Sequence, residues 1–122
     1  MNALYLASGL AMIAAVGHSY LSERLVLRPL RNETLQGSVF SEAVAKKLAS
    51  AMFHLASLCW AGMAISMLLL EPSGVESRAT LHIYATIYAV SGLGNFWATG
   101  RPHPGGVVLL AAAALILVAL HA

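Results

Sequence analysis

Residues 4–24 read LYLASGLAMIAAVGHSYLSER. From Leu4 to Gly17 no side chain is charged; His18-Ser19 and then Glu23-Arg24 end the run. A bilayer core about 30 Å thick takes a helix of roughly 17–25 apolar residues. The run lacks the alternation of a half-buried strand, and lipid accepts only backbone whose hydrogen bonds close within the segment. The stretch therefore reads as a membrane helix whose polar lip begins at His18.

The rest of the chain agrees. Of its 122 residues 59% are hydrophobic and 10% charged, against roughly 25% charged in a soluble domain. A soluble chain of this size has too little interior for that much apolar surface. Apolar segments cover about 3–21, 48–70, 79–98 and 106–120, the last long enough only with its flanking glycines and His121. The expected fold is all-α, an integral membrane four-helix bundle forming one four-span domain over residues 1–122. Ala15-Val16-Gly17 resembles a secretory cleavage site, but no Lys or Arg precedes the run, so it is read as a mature helix. Cys59 is the single cysteine, so there is no disulfide framework. A net charge of +2, dispersed along the chain, does not suggest a nucleic-acid partner.

Basic residues set the expected orientation. Arg24, Arg28, Arg31, Lys46 and Lys47 fall between the first two spans and Arg101 between the last two, with only Arg78 on the other side. The positive-inside rule then makes both termini of this multi-pass protein extracytoplasmic. Pro29 is expected to stop the first helix after it has overrun the bilayer as SERLVLR. Gln36-Gly37-Ser38 reads as a break, Ser41-Glu42 as a helix start, and Ser73 with Glu76 as a capping box that starts the third helix near Gly74. RPHPGG, residues 101–106, bends the chain into the fourth helix. Asn32-Glu33-Thr34 matches a glycosylation sequon, without meaning on the cytoplasmic side.

Helical spacing picks out faces. Ala7, Ala11, Ala14 and His18 share one, as do Lys47, Ser50, His54, Ser57 and Ala61 on the second helix. On the third, Tyr84, Tyr88, Ser91 and Asn95 form a polar stripe beside Ala85, Ala89 and Gly92. Small and weakly polar residues are what helix interfaces in lipid use. The fourth helix has no polar stripe and reads as a lipid-facing wall with an alanine seam. At about 1.5 Å per residue, His18 lies roughly 5 Å and His54 roughly 9 Å inside the cytoplasmic boundary, with Asn95 at a similar level. His103 stands just above that layer, whereas His82 and His121 fall near the opposite face.

Ionisable groups within spans are costly and mark sites. Two facing histidines are the ligand set of a b-type haem, for which His18, His54, Asn95 and His103 are the candidate residues. His18, Glu23, His54 and His103 are an alternative ligand set for a transition metal, with Ser19, Ser57 and Asn95 to orient the ligands. A quinone or lipid head-group pocket is the third option. Ordinary packing seams explain the same stripes without any ligand. All five glutamates, Glu23, Glu33, Glu42, Glu71 and Glu76, lie at or beyond the boundaries, which argues against a proton-coupled exporter. His54 with Ser57 has no buried carboxylate behind it, so a nucleophilic hydrolase is not indicated either.

HSYLSER (18–24), FHLASLCW (53–60) and GRPHPGG (100–106) resemble a group of small uncharacterised bacterial inner-membrane proteins. That group has a His-Ser-x-x-Gly-Glu signature after the first span, a His in the second and an Arg-x-His-Pro turn. Ser22 stands where the group has glycine. The resemblance implies a four-helix fold and interest in His18, Glu23, His54 and His103, but no activity. The expected function is a non-catalytic membrane subunit acting through helix packing, with the lipid bilayer and other membrane subunits or a second copy as partners. The alternative is a redox or binding protein holding haem, metal or quinone near the cytoplasmic face. A reporter fused after Ala122 is expected to read as extracytoplasmic and one inserted near Gly37 as cytoplasmic; the reverse pattern overturns the orientation.

Overall fold

The computed structural model describes residues 2–34, 40–70 and 73–122. All regular structure among them is helical: α1 (Asn2–Ser22), a π-helical turn (Glu23–Leu27), α2 (Arg28–Asn32), α3 (Glu42–Met67), α4 (Val75–Thr99) and α5 (Pro104–His121). α1, the π turn and α2 make one continuous run. Three runs are long and apolar enough to cross a membrane: Ala3–Asn32, Glu42–Met67 and Pro104–His121. The expected marginal member is thus misplaced. α5, short but nearly all aliphatic, qualifies, whereas α4 is long but diluted by Glu76, Arg78, His82, its tyrosines and Asn95. The expected break at Gln36–Ser38 and Glu71 lie outside the described residues.

α1 packs against α3 on one side and α5 on the other, α4 packs along α5, and α3 touches α4 only lightly. Alanines make the close contacts. Ala7, Ala11, Ala14 and Ala15 of α1, Ala64 of α3, Ala85 of α4 and Ala112 and Ala113 of α5 share one buried cluster. Without a hydrophobic driving force between spans, such short side chains matter because they let backbones approach and dispersion contacts accumulate. α5 is therefore not the lipid-facing wall expected. Its alanine seam, with Gly106, Leu109, Ile116 and Leu120, is buried between two neighbours.

The α4–α5 crossing is closest at two glycines. A Cβ on Gly92 would stand 2.9 Å from the Gly106 carbonyl oxygen, and one on Gly106 would stand 2.8 Å from that of Gly92. The loosely packed α3–α4 side is joined by tyrosines instead. Tyr88, fully buried, donates its hydroxyl to the Trp60 carbonyl at 3.0 Å, and the Tyr84 and Ser66 hydroxyls meet at 2.8 Å. Ser8 donates to the Ala64 carbonyl at 2.7 Å, tying α1 to α3.

Several local expectations change. Pro29 does not end the first helix, which continues to Asn32. The Arg28 N–H bonds the Glu23 carbonyl five residues back, and Pro29 falls in the first turn after that register shift, where its missing N–H is tolerated. The buried residues of α3 are Ser57, Trp60, Ala64 and Met67, so of the Lys47–Ala61 stripe only Ser57 is fully buried, while Ser50, His54 and Ala61 are half-buried and Lys47 is exposed. α4 begins at Val75 with Gly74 as N-cap and no side-chain cap bond, so Ser73 and Glu76 form no capping box. Many large apolar side chains face outward, including Trp97 at 86% exposure and Leu69 at 82%.

Gly92→Leu is expected to lower thermal stability in detergent by about 1–3 kcal/mol, the range for forcing atoms into a filled interior. Gly94→Leu, at a position with open space around its Cβ, is the matched control. Equal shifts for the two variants overturn the assignment.

Candidate functional site

The polar residues at one end of the bundle follow from where α1 meets α3. His18 and Ser19 are adjacent at the end of α1, while His54 and Ser57 lie one turn apart on α3. Each helix therefore presents one imidazole and one hydroxyl to the other, and they pair crosswise. His18 Nδ1 lies 3.0 Å from Ser57 Oγ, and His54 Nδ1 lies 2.8 Å from Ser19 Oγ. The His18 ring also stacks on Phe53, with centroids 5.8 Å apart, and meets the edge of Trp60 at 4.9 Å. Phe53, Ser57 and Trp60 follow at steps of four and three, so two successive turns of α3 hold that ring.

Outside this clasp the groups become charged. His54 Nε2 is 3.9 Å from Glu23 Oε2, and Glu23 Oε1 accepts from Arg31 on α2. Lys46 donates to the Arg31 carbonyl at 2.9 Å and to Glu42 at 2.6 Å, fastening α2 to the start of α3. Arg24 donates to the Tyr20 hydroxyl at 2.9 Å.

Beside the clasp lies a cavity of about 430 Å³. Ala14, Gly17, His18 and Ser22 of α1 line it, with Leu25 and Val26 of the π turn, Phe53 and Trp60 of α3, Asn95 and Thr99 near the end of α4, and His103 with Gly105 at the start of α5. Ile13, Leu21, Leu25 and Val26 line it while also being exposed, so the cavity opens onto an apolar flank. Among the described residues no Lys, Arg, Asp or Glu contributes to the lining.

The HPGG turn that supplies His103 has a local cause. Gly100 ends α4 in the left-handed region, at φ 64°, a common helix stop. His103 then caps α5, its Nδ1 accepting from the Gly105 N–H at 3.2 Å, and Pro104 occupies the first turn. A side chain on Gly105 would crowd the capping ring, since its Cβ would sit 3.2 Å from His103 Nδ1. Asn95 donates Nδ2 to the Ser91 carbonyl at 3.0 Å, which leaves Oδ1 as its acceptor.

His18, Asn95 and His103 thus line one cavity, and His54 and Glu23 stand outside it. His54 is joined to the neighbouring level of α1 through Ser19, and its Nε2 lies 3.9 Å from Glu23 Oε2. His18, Glu23, His54 and His103 do not come together as one ligand set: among the described residues no three or more His, Cys, Asp or Glu side chains are grouped to hold a metal ion. Trp60, Phe53 and Thr99 are site residues that the polar-stripe reading missed. The 53, 57, 60, 64, 67 spacing of α3 was the available signal for the first two. Compared with protein-family models, curated proteins and solved structures, the chain matches none of them.

His18→Phe keeps the aromatic stack and deletes the bond to Ser57. It is expected to destabilise the detergent-purified protein by about 0.5–1.5 kcal/mol, as for losing one part-buried hydrogen bond. His121→Phe, at an exposed position whose ring bonds the Leu117 carbonyl of its own helix, should leave the melting temperature unchanged. Indistinguishable melting temperatures for the two variants overturn the role given to the clasp.

Proposed function

We propose that this chain is a four-span integral protein of the bacterial inner membrane, with both termini extracytoplasmic. In this reading it is a non-catalytic component that holds a small, largely apolar molecule at the clasp end of the bundle. The observation that carries the ligand is the cavity of about 430 Å³, apolar on most sides and edged by His18, Asn95, Thr99 and His103. Ligand sites have this make-up and a volume of roughly 300–1,000 Å³. A bundle serving only as packing would close such a space, because interiors fill to the density of organic crystals.

The membrane reading rests on three apolar helical runs and on the outward-facing aliphatic and aromatic side chains. α4 completes the ring of spans, because its polar groups bond inward: Tyr84 to Ser66, Tyr88 to the Trp60 carbonyl and Asn95 to its own helix. The orientation rests on Arg24, Arg28, Arg31, Lys46, Lys47 and Arg101 against Arg78. It puts the cavity at the cytoplasmic end, open to the bilayer flank. The exposed lining residues give a lipid-soluble molecule an entry that crosses no water. Haem and metal are not part of this proposal, since His54 and Glu23 bond to groups outside the cavity.

Gly17 supplies the test. It lines the cavity, and a Cβ there would meet nothing within 4 Å. Gly17→Leu should fill the space with thermal stability kept or raised, while a brominated alkylbenzene loses its ability to quench Trp60 fluorescence in a Trp97→Phe background. Saturable quenching that survives Gly17→Leu, or no saturable quenching in the parent, overturns the ligand reading.

A further inference from the structure

The polar wall of the cavity specifies more than an apolar occupant. His103 Nδ1 accepts from the Gly105 N–H at 3.2 Å, so that nitrogen carries no proton. A neutral ring then holds its proton on Nε2 and remains a donor there. Asn95 donates one of its two amide protons to the Ser91 carbonyl, which leaves its second N–H and Oδ1. His18 has its Nδ1 on Ser57 and its second nitrogen unbonded among the described residues. Among the described residues no charged side chain lines the space, and Glu23, beside His54 of the clasp, pairs with Arg31 outside it.

An ionised head group would enter such a site without a counter-charge, which is strongly unfavourable away from water. A pure hydrocarbon would make no use of the His103 donor. What suits both is a neutral molecule with a hydrogen-bond acceptor on an otherwise apolar body. The lining is also aromatic, with Trp60, Phe53 and the His18 ring stacked on Phe53. Faces and edges of this kind favour a flat ring. We propose that the occupant is a quinone-class molecule, a neutral ring bearing carbonyl oxygens and an apolar tail, with one carbonyl accepting from His103 Nε2–H and the tail leaving along Leu21 and Leu25. This rests on the ligand reading above and adds the head group to it.

The experiment uses the full chain in detergent with Trp97→Phe, so that Trp60 alone reports. A decyl-substituted benzoquinone and a brominated decylbenzene quench directly, and decanoate is offered as a competitor. His103→Asn is the discriminating variant, because asparagine is a preferred N-cap that keeps the acceptor for the Gly105 N–H but lacks the more distant donor. The quinone should bind about tenfold more tightly than the decylbenzene, as one good hydrogen bond provides. His103→Asn should abolish that preference with decylbenzene affinity unchanged, and decanoate should not compete. Equal affinities in the parent, a preference that survives His103→Asn, or displacement by decanoate overturns the quinone assignment while leaving the cavity reading intact. Failure of both direct probes to bind saturably removes the two together.

Discussion

The contact on which the site depends is between two backbones. Gly92 and Gly106 lie so close that neither could carry a methyl group without meeting the other's carbonyl oxygen. That approach fixes the start of α5 against the last turns of α4. Asn95 comes three residues after one glycine and His103 three residues before the other, so both are displaced to the same side of the crossing. Their shared position on the cavity follows from the crossing rather than from any bond between them. A larger residue at either glycine would separate the helices and move both polar groups away from His18.

Across the cavity the joint between α1 and α3 is polar. Two imidazoles and two hydroxyls exchange hydrogen bonds in a crosswise pair, so each helix both anchors and is anchored. Polar contacts between membrane helices are worth about 0.6 kcal/mol on average. The pair therefore sets rotation and depth more than it sets overall stability. Its value to the site is that the His18 ring is fixed by Ser57, Phe53 and Trp60 together, with one nitrogen left over.

Depth along each helix was legible in the sequence, and rotation about each helix was much less so. Counting residues from the polar boundary placed His18, His54 and Asn95 near one level with His103 just above it, because helical rise is constant whatever the surroundings. Rotation in a soluble helix is read from the contrast between apolar and polar faces. In lipid that contrast fades, since an aliphatic side chain is equally at home inside and outside. The Lys47–Ala61 stripe was chosen by polarity, whereas α3 buries Trp60 and Met67 for their bulk. α5 offered no polarity to read, and its alanines marked two packed faces rather than one. α1 was easier, because its small residues and its histidine fall on the same side.

The π turn at Glu23–Leu27 carries one residue more than the α turn it replaces. Ser22 and Leu27 are both buried, five positions apart, where an uninterrupted α-helix would bring residues three or four apart to the same side. The chain before the turn and the chain after it are thus out of phase, and no single helical wheel describes both. Gly17, His18 and Ser22 belong to one wheel; Leu27 and Arg31 belong to another, offset by about 100° at 3.6 residues per turn. Comparing this segment with another sequence residue for residue is meaningful only if the extra position is shared. Where it is absent, an arginine at the same distance from the His-Ser pair would face a different neighbour.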